Sequence, residues 1–271
     1  PYRELLESSG VAVRVVDAGA IHNVRRESRI PNAAALRSTW KAARTVATIA
    51  KDFDVIDANS QKAFIVGSIA SRLSGTPLLW HLHDIVDPPA FSRLNILADR
   101  LLTNFVADRV VCVSKATADA LIRQGGDPDR VHVVYNGVDA VRFDALAAAP
   151  SNVRESLGLM DVPVVGCFSR LAKWKGQHVL VEAASAIPNL HVLLVGGSLF
   201  GEQAYEAQLR ALVESRGMRG RVHFLGQRSD VAALMQCVDM IVHPSTEPEP
   251  FARTLIESML SGRAPIDSAC G

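Results

Sequence analysis

Short apolar runs rich in β-branched residues alternate along the chain with longer amphipathic stretches, and this alternation restricts the fold more than any other feature. Several of the runs are apolar at every position, as is expected of strands that are covered on both faces. Strands that alternate with helices predict βαβ units and parallel sheets. The expected strands are 11–17, 54–58, 77–83, 109–114, 131–137, 162–169, 191–197, 222–226 and 239–244, and the expected helices are 33–50, 61–73, 92–106, 115–124, 176–187, 202–216, 229–236 and 252–261.

A stretch without a clear strand, residues 138–161, separates two series of these units. With 271 residues, 48% of them hydrophobic, the chain is long enough for two domains of ordinary size. We therefore predict two Rossmann-like domains, at 1–146 and 147–271, with a linker near 139–150. The chain begins within a helix-like segment and ends just after a strand-like one, so both domains are expected to be incomplete at the chain ends.

The composition argues against several function classes. A net charge of +1 gives no bulk attraction to nucleic acid or to an acidic surface. No apolar run approaches the roughly 18 residues of a membrane-spanning helix, and no signal peptide is visible. The four cysteines follow no metal or disulfide spacing. Two of them, Cys112 and Cys167, lie in strand-like runs, so we expect buried free thiols and a reducing, cytoplasmic setting.

Two carboxylates stand near the start of the predicted helix 252–261, beyond the carboxyl end of a strand, where parallel sheets bind ligands. Glu249 lies just before this helix, which Gly262 can cap at its end, and Glu257 lies less than two turns inside it. The helix N-terminus favours an anion, which carboxylates repel, so the two acids are better matched to the hydroxyls of a sugar or ribose. The alternative is that Glu249 only complements the helix dipole and that Glu257 is solvated.

Cations follow the predicted strand 162–169. Arg170 closes this strand, Lys173 and Lys175 follow in the loop, and Gly176 opens the next helix. Cations at the carboxyl end of a strand, beside a helix N-terminus, suit a diphosphate. An ordinary charged surface loop is the alternative.

Glycines follow the next strand, but Gly196, Gly197 and Gly201 do not form the G-x-G-x-x-G fingerprint. This spacing argues against an NAD-dependent enzyme. The glycines allow either a close approach of the backbone to a ligand or a plain tight turn.

Two histidines end the predicted strand 77–83, where His81 and His83 share a face and Asp84 follows. As a metal pair they lack an evident third ligand. A histidine at the end of a strand can contact a substrate or relay a proton, whereas a hydrogen-bonded structural histidine is the alternative.

Four segments, taken in order, resemble the retaining glycosyltransferases of family 4, which have the GT-B fold. They are 133–144, 168–176, 193–197 and 222–260, and the last contains the family's E-x7-E pattern as Glu249 and Glu257. The resemblance covers most of the chain. It implies an α/β protein of two Rossmann-like domains whose parallel sheets face a central cleft, with the acceptor bound by the N-terminal domain and the donor by the C-terminal one.

The resemblance also implies roles for individual residues. Arg170 and Lys175 match the residues that hold the donor diphosphate and stabilise the leaving nucleotide. Glu249 matches the acid that contacts the donor-sugar hydroxyls, and Glu257 matches the acid that bonds the ribose. A histidine near the transferring sugar is matched by His83, with His81 as its rival. The remaining expected donor contacts, made by backbone groups, are Gly197, Phe251, Ala252 and Arg253.

The implied activity is the transfer of a sugar from a UDP- or GDP-linked donor to a glycan or lipid-linked glycan, with retention of the anomeric configuration and without metal or cofactor. Front-face attack and a covalent intermediate both stay open as routes. The implied setting is the cytoplasm, with peripheral contact at the inner membrane face and no nucleic-acid partner. The competing interpretations are a non-catalytic nucleotide-sugar-binding or scaffold relative and a sugar-nucleotide epimerase of GT-B-like fold.

The chain departs from the family pattern at three places. The family's opening strand with its glycine-rich loop and its last helices have no counterpart in the sequence. Where the family has G-x-P-[IV]-[IV]-A, residues 262–267 read GRAPID. This last departure leaves the final strand in question.

Overall fold

The computed structural model describes residues 2–17, 19, 33–88, 90–147, 151–199 and 201–269, and the chain divides into two units, Pro1–Tyr135 and Asn136–Gly271. The helices of the described residues are α1 (Tyr2–Ser8), α2 (Ala33–Ala50), α3 (Gln61–Ser74), α4 (Arg93–Phe105), α5 (Lys115–Arg123), α6 (Ala140–Ala147), α7 (Val153–Ser156), α8 (Gln177–Ser185), α9 (Gln203–Ser215), α10 (Val231–Gln236) and α11 (Arg253–Leu260). Their strands are β1 (Ile56–Ala58), β2 (Leu78–Leu82), β3 (Arg109–Cys112), β4 (Val131–Val133), β5 (Val164–Phe168), β6 (His191–Val195), β7 (Val222–Gly226), β8 (Met240–His243) and β9 (Ala264–Asp267). None of these described helices is both long and apolar enough to cross a membrane.

The predicted strands and helices are confirmed within a few residues, with one exception. The prediction of a strand at 11–17 is wrong, because the structure describes these residues and they form no strand. Val11 and Val15 are 49% and 76% exposed, and no described strand pairs with this segment. A run of apolar residues becomes a strand only where a neighbour takes its backbone hydrogen bonds. β9, the final strand that was in question, does form and pairs with β8 in parallel.

The first unit has a parallel sheet with the strand order β1-β2-β3-β4. Alternate residues of β2 supply the centre of its core, where Leu78, Trp80 and Leu82 are buried. The Trp80 indole stacks on Phe64 of α3, with 4.0 Å between ring centroids. The other phase of β2 carries His81, which is half-buried. The period of two in this strand thus separates the core residues from the candidate site residues.

The second unit has the parallel strand order β7-β6-β5-β8-β9. Its central strand β5 is buried at every position, as its apolar sequence predicted. Side chains of β5 alternate between two cores. Val164 and Phe168 join the core that contains α10, whereas Val165 and Cys167 join the core that contains α8.

The division between the units falls earlier in the chain than the linker expected at 139–150. Helix α6 lies in that stretch and packs against α10 of the second unit. Its Phe143 is buried in the core of that unit, and Arg154 of α7 binds both carboxylate oxygens of Asp239, at 3.0 and 3.2 Å. Because α6 has an apolar side to cover, this segment joins the unit whose core it completes.

The cysteines of the two sheets are free and buried, as predicted. Burial raises the pKa of the Cys112 thiol to about 12 and that of Cys167 to about 11. Cys237 is free and half-buried, and Cys270 lies outside the described residues. The two buried thiols are therefore protonated and unreactive at neutral pH.

Asp99 of α4 is a buried carboxyl group in the core of the first unit. Its Oδ2 accepts a 2.7 Å hydrogen bond from Gln61, while its Oδ1 is buried with no hydrogen-bond partner. Burial raises the pKa of Asp99 to about 7 against the opposing effect of the Gln61 hydrogen bond, and the nearby charge of Asp84 adds to the rise.

Replacing Asp99 by asparagine is expected to flatten the pH dependence of stability. The folded-state pKa lies above the ordinary value of about 3.9, so the folded chain binds the extra proton. The free energy of unfolding of the wild type should therefore fall as the pH rises from about 4 to about 7, and asparagine, which does not ionise, removes this fall. Urea denaturation at pH 4.5 and pH 8 measures the effect, with the exposed Asp119→Asn as the control. An unchanged pH dependence in Asp99→Asn contradicts the prediction.

Candidate functional site

The candidate donor-binding segments of the second unit follow two neighbouring strands at the point where the strand order reverses. β5 and β8 pair directly, although β6 and β7 lie between them in the chain. At such a switch point the loops that leave the two strands run to opposite sides and open a crevice beyond the carboxyl ends. The loop 169–176 leaves β5, and the loop 244–252 leaves β8. The topology thus brings the cations predicted after β5 beside the carboxylates predicted after β8.

The backbones of these two loops approach each other closely at Gly176. It adopts φ +70°, and a Cβ atom there would lie 1.7 Å from the carbonyl oxygen of Pro244. Beside it, the amide of Thr246 donates a 2.8 Å hydrogen bond to the carbonyl of Trp174. Only glycine combines this dihedral angle with so close a backbone approach.

Replacing Gly176 by alanine is expected to lower the free energy of unfolding by about 3 kcal/mol or more, because the methyl group forces the two loops apart. The matched control is Gly217→Ala, where φ is +63° but no atom lies within 4 Å of the added Cβ. The control carries the dihedral strain alone, about 1 kcal/mol. Urea denaturation measures both variants, and equal losses contradict the packing argument.

Lys175 and Glu249 form an ion pair across the two loops. Lys175 Nζ donates to Glu249 Oε2 at 2.6 Å, and each side chain is only 14% exposed. Ser245 Oγ donates to the same oxygen at 3.2 Å, and the ammonium group lies 4.2 Å from the centroid of the Trp174 ring. No described residue hydrogen-bonds Oε1 of Glu249. The second oxygen of Glu249 and the remaining N–H groups of Lys175 are therefore available to a ligand.

Arg170 lies directly after β5. Its guanidinium group lies 5.5 Å from the centroid of the Trp174 ring, and its Nη1 is 3.6 Å from Glu202 Oε2. The aromatic face and the carboxylate on either side orient the planar donor fork of Arg170. Trp174 thus contacts Arg170 and Lys175, two of the three cations of the loop, a role that the sequence did not reveal.

A cavity of about 260 Å³ lies at the carboxyl ends of β5, β6 and β7. Arg170, Gly197 and Glu257 line it, together with Gln227 and Arg228 from the loop after β7. The Glu257 side chain is 17% exposed, so a ligand in the cavity can reach it. The ion pair of Lys175 and Glu249 lies outside this cavity, in the loops on the side of β8.

Glycines after β6 bring the backbone of its loop against the loop after β5. A Cβ atom at Gly196, whose φ is +141°, would lie 2.1 Å from the carbonyl oxygen of Ser169. The carbonyl of Gly197 accepts a 3.0 Å hydrogen bond from the amide of Leu171. The close approach at Gly196 is therefore one of backbone to backbone, and it forms the wall of the cavity that Gly197 lines.

Helix α11 begins at Arg253, one residue after the predicted start, with Ala252 at its N-cap. Gly262, with φ +67°, ends it, as predicted. The amide of Arg253 already donates to the carbonyl of Phe251 at 3.0 Å. Of the backbone amides of residues 251–253 that were expected to face the ligand, this one therefore has a partner within the loop. The Arg253 side chain donates to Glu257 at 3.1 Å.

Gln177 supports the loop that carries Arg170. It is fully buried, and its Nε2 donates to Ser169 Oγ at 2.9 Å and to the carbonyl of Arg170 at 2.8 Å. Its Oε1 accepts a 3.1 Å hydrogen bond from the hydroxyl of Tyr205 on α9. A glutamine at the start of a helix carries no local signal of such a role, which depends on contacts distant in sequence.

In the first unit, the rings of His81 and His83 stack with 4.3 Å between centroids. Burial and the charge of His81 lower the pKa of His83 despite the opposing charges of Asp84 and Asp57, so His83 is neutral at pH 7. Its Nε2 is buried with no hydrogen-bond partner. Among the described residues, no group of three or more His, Cys, Asp and Glu side chains has the arrangement of a metal site.

The chain matches two known family profiles. Residues 3–142 match Glycosyltransferase Family 4, and residues 151–271 match Glycosyl transferases group 1. Anabaena HepE, solved in complex with UDP and glucose, is 36% identical, with a TM-score of 0.86 over 100% of this chain and 71% of that one.

Curated relatives agree with this match. The D-inositol 3-phosphate glycosyltransferase of Xylanimonas cellulosilytica is 32% identical over 173 residues, which are 61% of this chain and 41% of that protein. The enzyme of the same name from Salinispora arenicola is 27% identical over 97% of this chain and 63% of that protein. The chain therefore spans less than two thirds of the length of these curated relatives. With its two parallel α/β units, the chain has the GT-B fold and belongs to glycosyltransferase family 4.

Proposed function

We propose that the protein transfers a hexose from a UDP-linked donor to a hydroxyl group of a glycan or lipid-linked glycan, with retention of the anomeric configuration. The observation that carries this proposal is the convergence of cations and carboxylates at the switch point between β5 and β8. The complexes of Anabaena HepE with UDP and with UDP-glucose, at 36% identity, support uridine diphosphate as the nucleotide.

The donor diphosphate is assigned to Arg170 and Lys175. Arg170 lines the cavity, and its planar fork suits two phosphate oxygens, whereas Lys175 supplies a compact charge. When the bond to the sugar breaks, negative charge grows on the diphosphate, and fixed cations at that position stabilise it. The chain's own side chains thereby serve the leaving group, and the proposal needs no metal or cofactor.

The hydroxyl groups of the donor are assigned to the two carboxylates. Glu257, which lines the cavity, accepts hydrogen bonds from the ribose, and Oε1 of Glu249 accepts them from the sugar. Ionised carboxylates accept such bonds strongly. Lys175 attracts a phosphate group, whereas Glu249 repels one. The pair therefore favours a ligand that joins a neutral sugar to a charged diphosphate over a phosphate alone.

In the reaction, the bond between the anomeric carbon and the diphosphate oxygen breaks, and the oxygen keeps the electron pair. The acceptor oxygen forms the new bond to the same carbon, and its proton passes to the released diphosphate or to solvent. Retention requires the new bond on the face of the old one. His83 of the first unit is assigned to contact with the reacting groups in preference to His81, because its Nε2 is a buried polar atom with no hydrogen-bond partner.

A ligand panel followed by product analysis tests the proposal. Thermal shifts are measured in EDTA with UDP, GDP, ADP and their hexose conjugates, and a ligand present at 100 times its Kd stabilises the folded state by about 2.7 kcal/mol. We expect UDP and a UDP-hexose to raise the Tm, and proton NMR of the product to give the donor's anomeric configuration. A folded protein that responds to no nucleotide, or only to one with divalent metal, contradicts the proposal, and an inverted product contradicts retention.

A further inference from the structure

His243, the last residue of β8, lies between two carboxylates. Its side chain is 4% exposed, its Nδ1 lies 2.9 Å from Asp267 Oδ1, and its Nε2 lies 3.6 Å from Glu249 Oε2. The parallel register of β8 and β9 places His243 and Asp267 opposite each other. Neither residue was predicted from the sequence to belong to the site.

The protons available at this cluster determine what the imidazole does. Asp267 Oδ1 is a carboxylate oxygen, so it accepts a hydrogen bond from Nδ1–H at 2.9 Å. Ser245 Oγ lies 3.5 Å from Nε2, but it gives its one hydroxyl proton to Glu249 Oε2 at 3.2 Å. Nε2 therefore faces the oxygen atoms of Ser245 and Glu249, and an N–H group at this position would be directed at both. The charged groups at the cluster are Asp267, Glu249 and, through Glu249, Lys175.

Glu249 is held on one side only. Lys175, Ser245 and His243 all approach its Oε2, whereas no described residue hydrogen-bonds its Oε1. We propose that His243 is a positioning residue for donor-sugar recognition, which together with Asp267 fixes Oε2 of Glu249 and leaves Oε1 to bind a sugar hydroxyl. This inference rests on the proposed function, because it takes Glu249 to be the sugar contact.

Two substitutions separate this role from a purely structural one. The amide nitrogen of asparagine in His243→Asn takes the place of Nδ1 and keeps the bond to Asp267. The amide nitrogen of glutamine in His243→Gln takes the place of Nε2 and keeps a donor toward Glu249. If His243 positions Glu249, the glutamine variant retains sugar recognition. If His243 only links β8 to β9 through its contact with Asp267, the asparagine variant retains more of the wild-type binding than the glutamine variant.

The test measures Kd for UDP and for UDP-glucose by calorimetry on the full-length protein. We expect His243→Asn to weaken UDP-glucose by about tenfold and UDP by less than twofold, because the 3.6 Å contact between Nε2 and Glu249 Oε2 is lost. We expect His243→Gln to stay within threefold of the wild type for both. His191→Asn, at a half-buried histidine at the start of β6 in the same sheet, is the matched control and should change neither.

Asp267→Asn provides a second test in case the variants at the buried His243 fail to fold, because the Asp267 side chain is 41% exposed. It should weaken UDP-glucose selectively, to a smaller extent. Selective loss in Asp267→Asn and His243→Asn with rescue in His243→Gln supports the inference. Unchanged UDP-glucose binding, an equal loss for both ligands, or better binding by the asparagine than by the glutamine variant overturns it. A wild-type protein that binds neither ligand instead overturns the proposed function.

Discussion

Replacing Lys175 by alanine is expected to slow the release of UDP from UDP-glucose by about 10²- to 10³-fold, the usual cost of removing one group that stabilises transition-state charge. The same change leaves Glu249 without its 2.6 Å partner. The unbalanced carboxylate then repels the diphosphate, which adds to the loss. The measurement is kcat/KM for UDP release by the full-length protein.

Lys173 offers the matched control for this prediction. It lies in the same 3-10 turn, Lys173–Lys175, and its side chain is exposed, whereas that of Lys175 is mostly covered. Lys173→Ala removes the same charge from the same loop and is expected to keep the rate within twofold of the wild type. Comparable losses in both variants would mean that the loop acts only through its net charge. A Lys175→Ala protein with the wild-type rate would remove Lys175 from the site.

Replacing Glu249 by glutamine is expected to have the second large effect, a loss of about 10²-fold in kcat/KM with UDP-glucose. The substitution keeps the volume and removes the charge that accepts hydrogen bonds from the sugar. UDP alone should bind as well as before or more tightly, because Lys175 no longer has a competing anion. Steady-state kinetics and calorimetry measure the two effects separately.

Glu247→Gln is the control, since Glu247 lies in the same loop and is exposed. It should leave both UDP release and UDP binding unchanged. Loss of UDP binding in Glu249→Gln would indicate that the loop collapses or that Glu249 contacts the nucleotide. Either result would contradict its assignment to the sugar.

Most of the fold could be predicted from local sequence patterns, because the spacing of apolar residues differs between helices and strands. The continuous apolar run of β5 and the helical spacing of α11 are properties of adjacent residues. The strand expected at 11–17 fails because alternation cannot say whether a partner strand exists. The predicted boundary between the units lies later in the chain than the observed one. Phe143 is buried against residues far along the chain, and such a contact leaves no local pattern in the sequence.

The same distinction applies to the candidate site residues. The positions of Arg170, Lys175, Glu249 and Glu257 near the ends of parallel strands could be predicted, because those ends mark the binding edge of a sheet. Which of them pair could not be predicted, because the 2.6 Å contact of Lys175 with Glu249 depends on β5 and β8 being neighbours. His243 was missed for a similar reason, since its partner lies opposite it on β9.

A crystal structure of the protein with UDP-glucose would locate the donor directly. We expect the diphosphate within hydrogen-bonding distance of Arg170 and Lys175, the ribose hydroxyls on Glu257, and a sugar hydroxyl on Oε1 of Glu249. Density for the nucleotide outside the cavity at the carboxyl ends of β5, β6 and β7 and the adjoining loop after β8 would contradict this expectation, as would a sugar that makes no contact with Glu249.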